Sequence, residues 1–315
     1  MNTTFDGDQR DPDTALRLDG VEKVFGSRHA VDGLNLRVQR GELLCLLGPN
    51  GAGKTTTIEM CEGFVKPTQG HISVLGLDPS REPDKVRSRI GIMLQGGGSY
   101  NGLKAEEMLQ LTANYYRDPH DPAWLLDVLG LEGVRSTTYR RLSGGQKQRL
   151  SLALAVIGRP EMVFLDEPTA GLDAQSRLVV WELIRALKRD GVTVILTTHL
   201  MDEAQSLADR VHIIDHGRTV TEGSPGELMT QGANPLVVIE TDKTVDSAAF
   251  QENTGAHIQA SRPLYYRVQE VASPGLLAKA TRELERQGVL AQRIDTVHRN
   301  LEDVFLELTG RNLRS

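Results

Sequence analysis

The sequence predicts an α/β fold, a largely parallel sheet covered by helices, followed by a small α+β unit. Three observations carry that expectation. Short apolar runs alternate with helix-length amphipathic runs over residues 42–197, the grammar of βαβ units. A glycine-rich segment joins one of these apolar runs to the helix-like run after it. After Arg210 the alternation gives way to closely spaced strand patterns and two further helices.

In chain order, residues 21–25 and 34–38 read as edge strands and 42–47 as a buried strand, with a helix opening at Gly53. Strands follow at 72–74 and 90–94, then helices around 105–116 and 122–129. Buried strands are expected at 162–165 and 192–197, on either side of a helix over 174–189. Runs 211–214 and 218–221 flank Asp215, His216 and Gly217, a turn signal that predicts a hairpin. The C-terminal unit is expected to hold strands at 236–239, 265–268 and 291–294 with helices at 274–287 and 301–308, an order that suits a ferredoxin-like arrangement. The expected organisation is thus a disordered tail over 1–14, a main domain over 15–231 and an accessory α+β domain over 232–315.

Composition narrows the function classes. A chain of 315 residues accommodates one large domain and a small second one, and its 25% charged and 39% hydrophobic residues are ordinary for a globular protein. A net charge of -6, a pI near 5.8 and no basic block argue against nucleic acid as the main partner. The most apolar stretches, such as 43–47 and 192–196, are far shorter than the roughly 20 residues that cross a bilayer. The opening segment is rich in Asp and has no apolar signal region, so the expected location is inside the cell. Cys45 and Cys61 are the two cysteines; with no ligand-like companions nearby they read as reduced, packed thiols.

The segment Gly48, Pro49, Asn50, Gly51, Ala52, Gly53, Lys54, Thr55, with Thr56 after it, fits the phosphate-binding loop pattern between a predicted strand and a predicted helix. Glycines let the backbone wrap phosphate oxygens so that N–H groups face the anion. Lys54 then brings a point charge to the β and γ phosphates, and the Thr55 hydroxyl is placed to ligate Mg²⁺. An apolar run, Met162 to Leu165, ends in Asp166 and Glu167. That placement sets Asp166 at the carboxyl edge of the sheet beside Mg²⁺ and lets Glu167 orient or deprotonate the attacking water. Taken alone, the pair also reads as an acidic strand-to-loop turn. Leu142, Ser143, Gly144, Gly145, Gln146 precede an amphipathic helix, and taken alone Ser143 is a helix cap.

The order of these segments, a phosphate loop, then Leu-Ser-Gly-Gly-Gln, then an apolar strand closing in Asp-Glu, resembles the ATP-binding cassette family over residues 16–228. The resemblance implies a P-loop NTPase cassette with a helical signature subdomain at about 96–158, with ATP and Mg²⁺ as cofactors. It implies that Gln95 reaches Mg²⁺ and the attacking water, that His199 contacts the γ-phosphate, and that Asp173 crosses a dimer seam. Where the family most often stacks a tyrosine on adenine, this chain offers Phe25, which keeps the π-face; Phe25 as plain edge-strand core is the other reading. The glycine run Gly96 to Gly98 falls where the family receives its membrane partner.

Family resemblance further implies that Ser143 and Gly145 complete the phosphate cage of a facing copy, so that two cassettes work head to tail. The segments Gly63 to Gly70 and Leu301 to Gly310 look like those of the daunorubicin-resistance type of cassette ATPases. That branch implies a separate ABC-2 type transmembrane permease, export of a drug, antibiotic or other amphipathic compound, and a place on the cytoplasmic face of a bacterial membrane. A nutrient importer ATPase, a sodium or polysaccharide exporter and a non-transport cassette protein are the alternatives.

Overall fold

The computed structural model describes residues 11–93, 101–230, 236–297 and 300–309. The chain divides into two compact units between Pro225 and Gly226. In the first, β1 (Thr14–Phe25), β2 (Arg28–Gln39) and β4 (Gln69–Val74) form an antiparallel sheet in the order β2-β1-β4. A second sheet takes β3 (Leu43–Leu47), β5 (Ile90–Met93), β6 (Met162–Asp166), β7 (Thr193–Thr197), β8 (Arg210–Asp215) and β9 (Arg218–Gly223), in the order β5-β6-β7-β3-β8-β9. It is parallel except for the β8–β9 pair. Every residue of β3 and β7 is buried, as expected of central parallel strands covered on both faces.

The helices of this unit are α1 (Lys54–Cys61), α2 (Pro83–Arg87), α3 (Ala105–Ala113), α4 (Pro122–Val128), α5 (Gly144–Val156), α6 (Ala174–Arg189) and α7 (Met201–Leu207), with α8 (Pro225–Thr230) at the boundary. The predicted hairpin is β8–β9; His216 (φ 48°) and Gly217 (φ 77°) form its turn, the handedness that suits twisted strands. Cys45 and Cys61 are both buried and free, and burial pushes both thiols upward.

β1 and β2 each run 12 residues, because their charged positions alternate outward along half-buried strands. Thr14 therefore opens β1 and is not tail: its hydroxyl donates to Asp11 at 3.0 Å. α3 stops at Ala113, before the expected end at 116, and α2, α7 and α8 were not anticipated.

The second unit runs β10 (Leu236–Thr241), α9 (Ser247–Thr254), β11 (Ile258–Arg262), β12 (Tyr265–Val271), α10 (Pro274–Arg286), β13 (Ala291–Val297) and α11 (Leu301–Thr309). Its sheet is antiparallel in the order β11-β12-β10-β13, the ferredoxin-like βαββαβ arrangement; α9 and β11 are the two elements the sequence reading lacked. Val237, Ile239 and Val268 pack with Phe250 of α9 and with Leu276 and Leu284 of α10. Val238 and Arg267 pair across β10 and β12 on the opposite face, where Arg267 bonds Asp303 of α11. Among the described residues no helix is long and apolar enough to cross a membrane.

Candidate functional site

The β3–α1 loop is shaped by glycines that admit no side chain. A Cβ on Gly48 would lie 2.4 Å from the Ile214 carbonyl oxygen, and one on Gly53 would lie 2.4 Å from the Ala30 carbonyl oxygen. Gly53 also takes φ 103° as the residue before α1, a left-handed value that side chains resist. Lys54 lies back along this loop, its Nζ donating to the carbonyls of Gly48 at 2.6 Å and Pro49 at 3.1 Å.

The loop borders a cleft of about 450 Å³ that brings together Phe25, Asn50, Gly51, Gly53, Lys54, Thr55, Thr56, Asp166 and Glu167, all expected from sequence. Arg28 and Ala30 complete its wall and were missed, since neither belongs to a recognisable motif. Gly48, Pro49 and Ala52 shape the loop without lining the cleft. Phe25 is 49% exposed and so is not core; Lys23 Nζ lies 4.8 Å from its ring centroid.

Asp166 closes β6. Burial raises its carboxyl pKa, while a hydrogen bond from the Thr197 hydroxyl lowers it. For Lys54, burial lowers the pKa of the ammonium group, and Glu167 and Asp166 pull it the other way. Glu167 adopts φ 47°, left-handed and strained for a glutamate. Its N–H donates to the Thr197 carbonyl at 3.0 Å, and its own carbonyl accepts from Gln148 Nε2 of α5 at 2.6 Å. The carboxylate Oε1 meets His199 Nδ1 at 3.0 Å, with His199 41% and Glu167 22% exposed, so a ligand can reach both. Gln148 and Thr197 are supports that only the folded chain reveals.

Ser143 caps α5 through a reciprocal box: its hydroxyl accepts from the Gln146 N–H at 3.2 Å, and its own N–H donates to Gln146 Oε1 at 2.9 Å. Gly144 faces open space, whereas a Cβ on Gly145 would lie 3.1 Å from Leu172 Cδ2. Asp173 caps α6, accepting from Ser176 N at 2.8 Å and Oγ at 3.0 Å. None of Ser143, Gly144, Gly145, Gln146, Asp173 or His199 lines the cleft of its own chain. Gln95 and Gly96 to Gly98 lie outside the described residues.

The residues present fit a nucleotide triphosphate and a hard divalent cation. A cradle closed to any Cβ leaves backbone as the phosphate contact, and the Thr55 hydroxyl and Asp166 carboxylate are oxygen donors of the kind Mg²⁺ prefers. Among the described residues no group of three or more His, Cys, Asp or Glu forms a cation cage. A cation held by Thr55 and Asp166 would share its coordination with phosphate oxygens, the usual Mg²⁺ arrangement.

A phosphate loop at the carboxyl edge of a parallel sheet, beside an Asp-Glu pair, defines a P-loop nucleotide-binding protein. Residues 31–170 match the family model for the ABC transporter. The chain is 37% identical over 308 residues to the daunorubicin/doxorubicin resistance ATP-binding protein DrrA of Streptomyces peucetius, covering 95% of this chain and 93% of that one. It is 35% identical over 307 residues to the Nod factor export ATP-binding protein I of Ralstonia nicotianae, covering 95% of each. A dimeric post-hydrolysis state of the cassette MJ0796 bound to ADP and Pi superposes with a TM-score of 0.62 at 27% identity, over 66% of this chain and 98% of that one. The chain belongs to the ATP-binding cassette transporter family, as an ATP-binding and ATP-hydrolysing subunit.

Proposed function

We propose that the chain drives export of an amphipathic compound, a drug or antibiotic, through a separate ABC-2 type membrane subunit. It works as two copies head to tail on the cytoplasmic face of a bacterial membrane. The observation that carries this reading is coverage. Relatives named for daunorubicin resistance and for Nod factor export align with 95% of the chain, so the match extends past Pro225 into the ferredoxin-like unit, whereas the cassette structures stop at 66% to 70%.

In this reading the loop from Gly48 to Gly53 and Lys54 hold the β and γ phosphates, with Thr55 and Thr56 at the start of α1 beside them. Thr55, Asp166 and Gln95 would hold Mg²⁺. When bound, the cation neutralises charge on the phosphate oxygens. Glu167 accepts a proton from the attacking water or orients it, and His199 keeps the Glu167 carboxylate in place while reaching toward the γ-phosphate. Ser143, Gly144, Gly145 and Gln146 serve the second copy's nucleotide, and Asp173 runs along the seam. The domain division that fits this reading is a tail, the cassette with its helical subdomain, and the C-terminal accessory domain.

Phe25 supplies the stacking surface for the base. Phe25→Ala is expected to weaken ATP affinity about tenfold, about 1.4 kcal/mol, with kcat at saturating ATP nearly unchanged. Titration with a fluorescent ATP analogue checks it. The export reading is tested by co-purifying the chain with its membrane subunit and measuring ATP hydrolysis as amphipathic compounds are added. Stimulation by such compounds is expected; failure to associate with any membrane subunit overturns it.

A further inference from the structure

Glu203 lies on α7 with none of its surface exposed. Burial pushes its carboxyl pKa above the usual range, against the opposing influence of Thr198, Thr169, Trp181 and Arg177. One carboxylate oxygen, Oε1, accepts both the Thr169 hydroxyl at 2.9 Å and the Trp181 indole N–H at 3.0 Å. The Thr198 hydroxyl accepts the Leu200 N–H at 3.0 Å and is among the groups that hold the Glu203 carboxyl pKa down. Oε2 has no hydrogen-bond partner, and neither has Arg177 Nε. A buried carboxyl group with an orphaned oxygen carries a free-energy penalty that an apolar side chain would avoid, so stability alone does not account for it.

Its position does. Thr169 stands in the segment between Glu167 and Asp173, and Thr198 immediately precedes His199. The Glu167 and His199 side chains meet across these two loops at 3.0 Å. Trp181 belongs to neither loop but to α6.

We propose that Glu203 is a positioning residue for ATP hydrolysis, clasping the 167–173 loop and the His199 loop together so that the Glu167–His199 contact keeps its register. The proposal rests on the roles given above to Glu167 and His199. Because the donors on Oε1 come from a loop and from a helix, removing them one at a time separates positioning from stability. In the full-length chain, Thr169→Val is expected to lower kcat about tenfold with KM for ATP within about twofold, and Thr169→Ser to restore it. Thr198→Val carries the same expectation from the other loop, which keeps the test intact if one valine variant fails to fold. Trp181→Phe is expected to lower Tm while kcat stays within about twofold. The proposal is overturned if both folded valine variants keep parental kcat, or if Trp181→Phe loses as much kcat as Thr169→Val. Activity surviving in Glu167→Gln would instead overturn the catalytic reading, so the two failures are distinguishable.

Discussion

Glu167→Gln is expected to bind ATP with parental affinity and to hydrolyse it about 10²-fold more slowly or worse, the scale of a lost general base. The amide keeps the size of the side chain and an oxygen for His199 Nδ1, which sits 3.0 Å from Oε1. It also keeps the main-chain bonds to Thr197 and Gln148 that hold the unusual backbone in place. What it loses is the capacity to take a proton. With ATP bound and not consumed, the variant should accumulate as the closed pair of cassettes, visible as a doubled mass in size-exclusion chromatography with ATP. Normal turnover by this variant would remove Glu167 from the mechanism.

The second large effect is expected at Lys54. Its ammonium group is partly buried, burial outweighs the pull of Glu167 and Asp166 in setting its pKa, and its hydrogen bonds go to the Gly48 and Pro49 carbonyls of its own loop. Bound phosphate changes this balance: hydrogen bonds to charged groups contribute about 1.5–3 kcal/mol each. Lys54→Ala should therefore weaken ATP affinity about 10²-fold while changing the Tm of the nucleotide-free chain little. At an ATP concentration of about 100 times the parental Kd, the parent gains about 2.7 kcal/mol from ligand binding. The variant gains about 0.4 kcal/mol under the same conditions. A thermal melt with and without ATP reads the difference directly, and an undiminished ATP-induced shift would contradict the role.

Elements with strong local signals were legible. α6 spans Ala174–Arg189 as its pattern predicts, because Asp173 caps one end and an apolar stripe persists to the other. The phosphate loop declared itself because its glycines answer to close backbone approaches, a constraint that a sequence writes out in full. The elements that escaped are those with little to bury or little length: α9 buries only Phe250 and Thr254, β11 only Ile258, and α2, α7 and α8 each span about two turns or fewer. At the site, the residues of the loop and of the Asp-Glu pair were recoverable from contiguous motifs. Gln148, Thr197 and Glu203 were not, since each bonds a residue far away along the chain, and only folding brings them near.

The backbone at Glu167 is left-handed, with φ 47°. An L-residue other than glycine pays about 1–2 kcal/mol to sit there, and glycine or asparagine would sit more comfortably. Selection for endurance to heat and selection for catalytic output thus pull this codon in opposite directions. A library screened only for survival at high temperature would tend to enrich inert proteins at this position, and any stabilisation campaign has to hold it fixed.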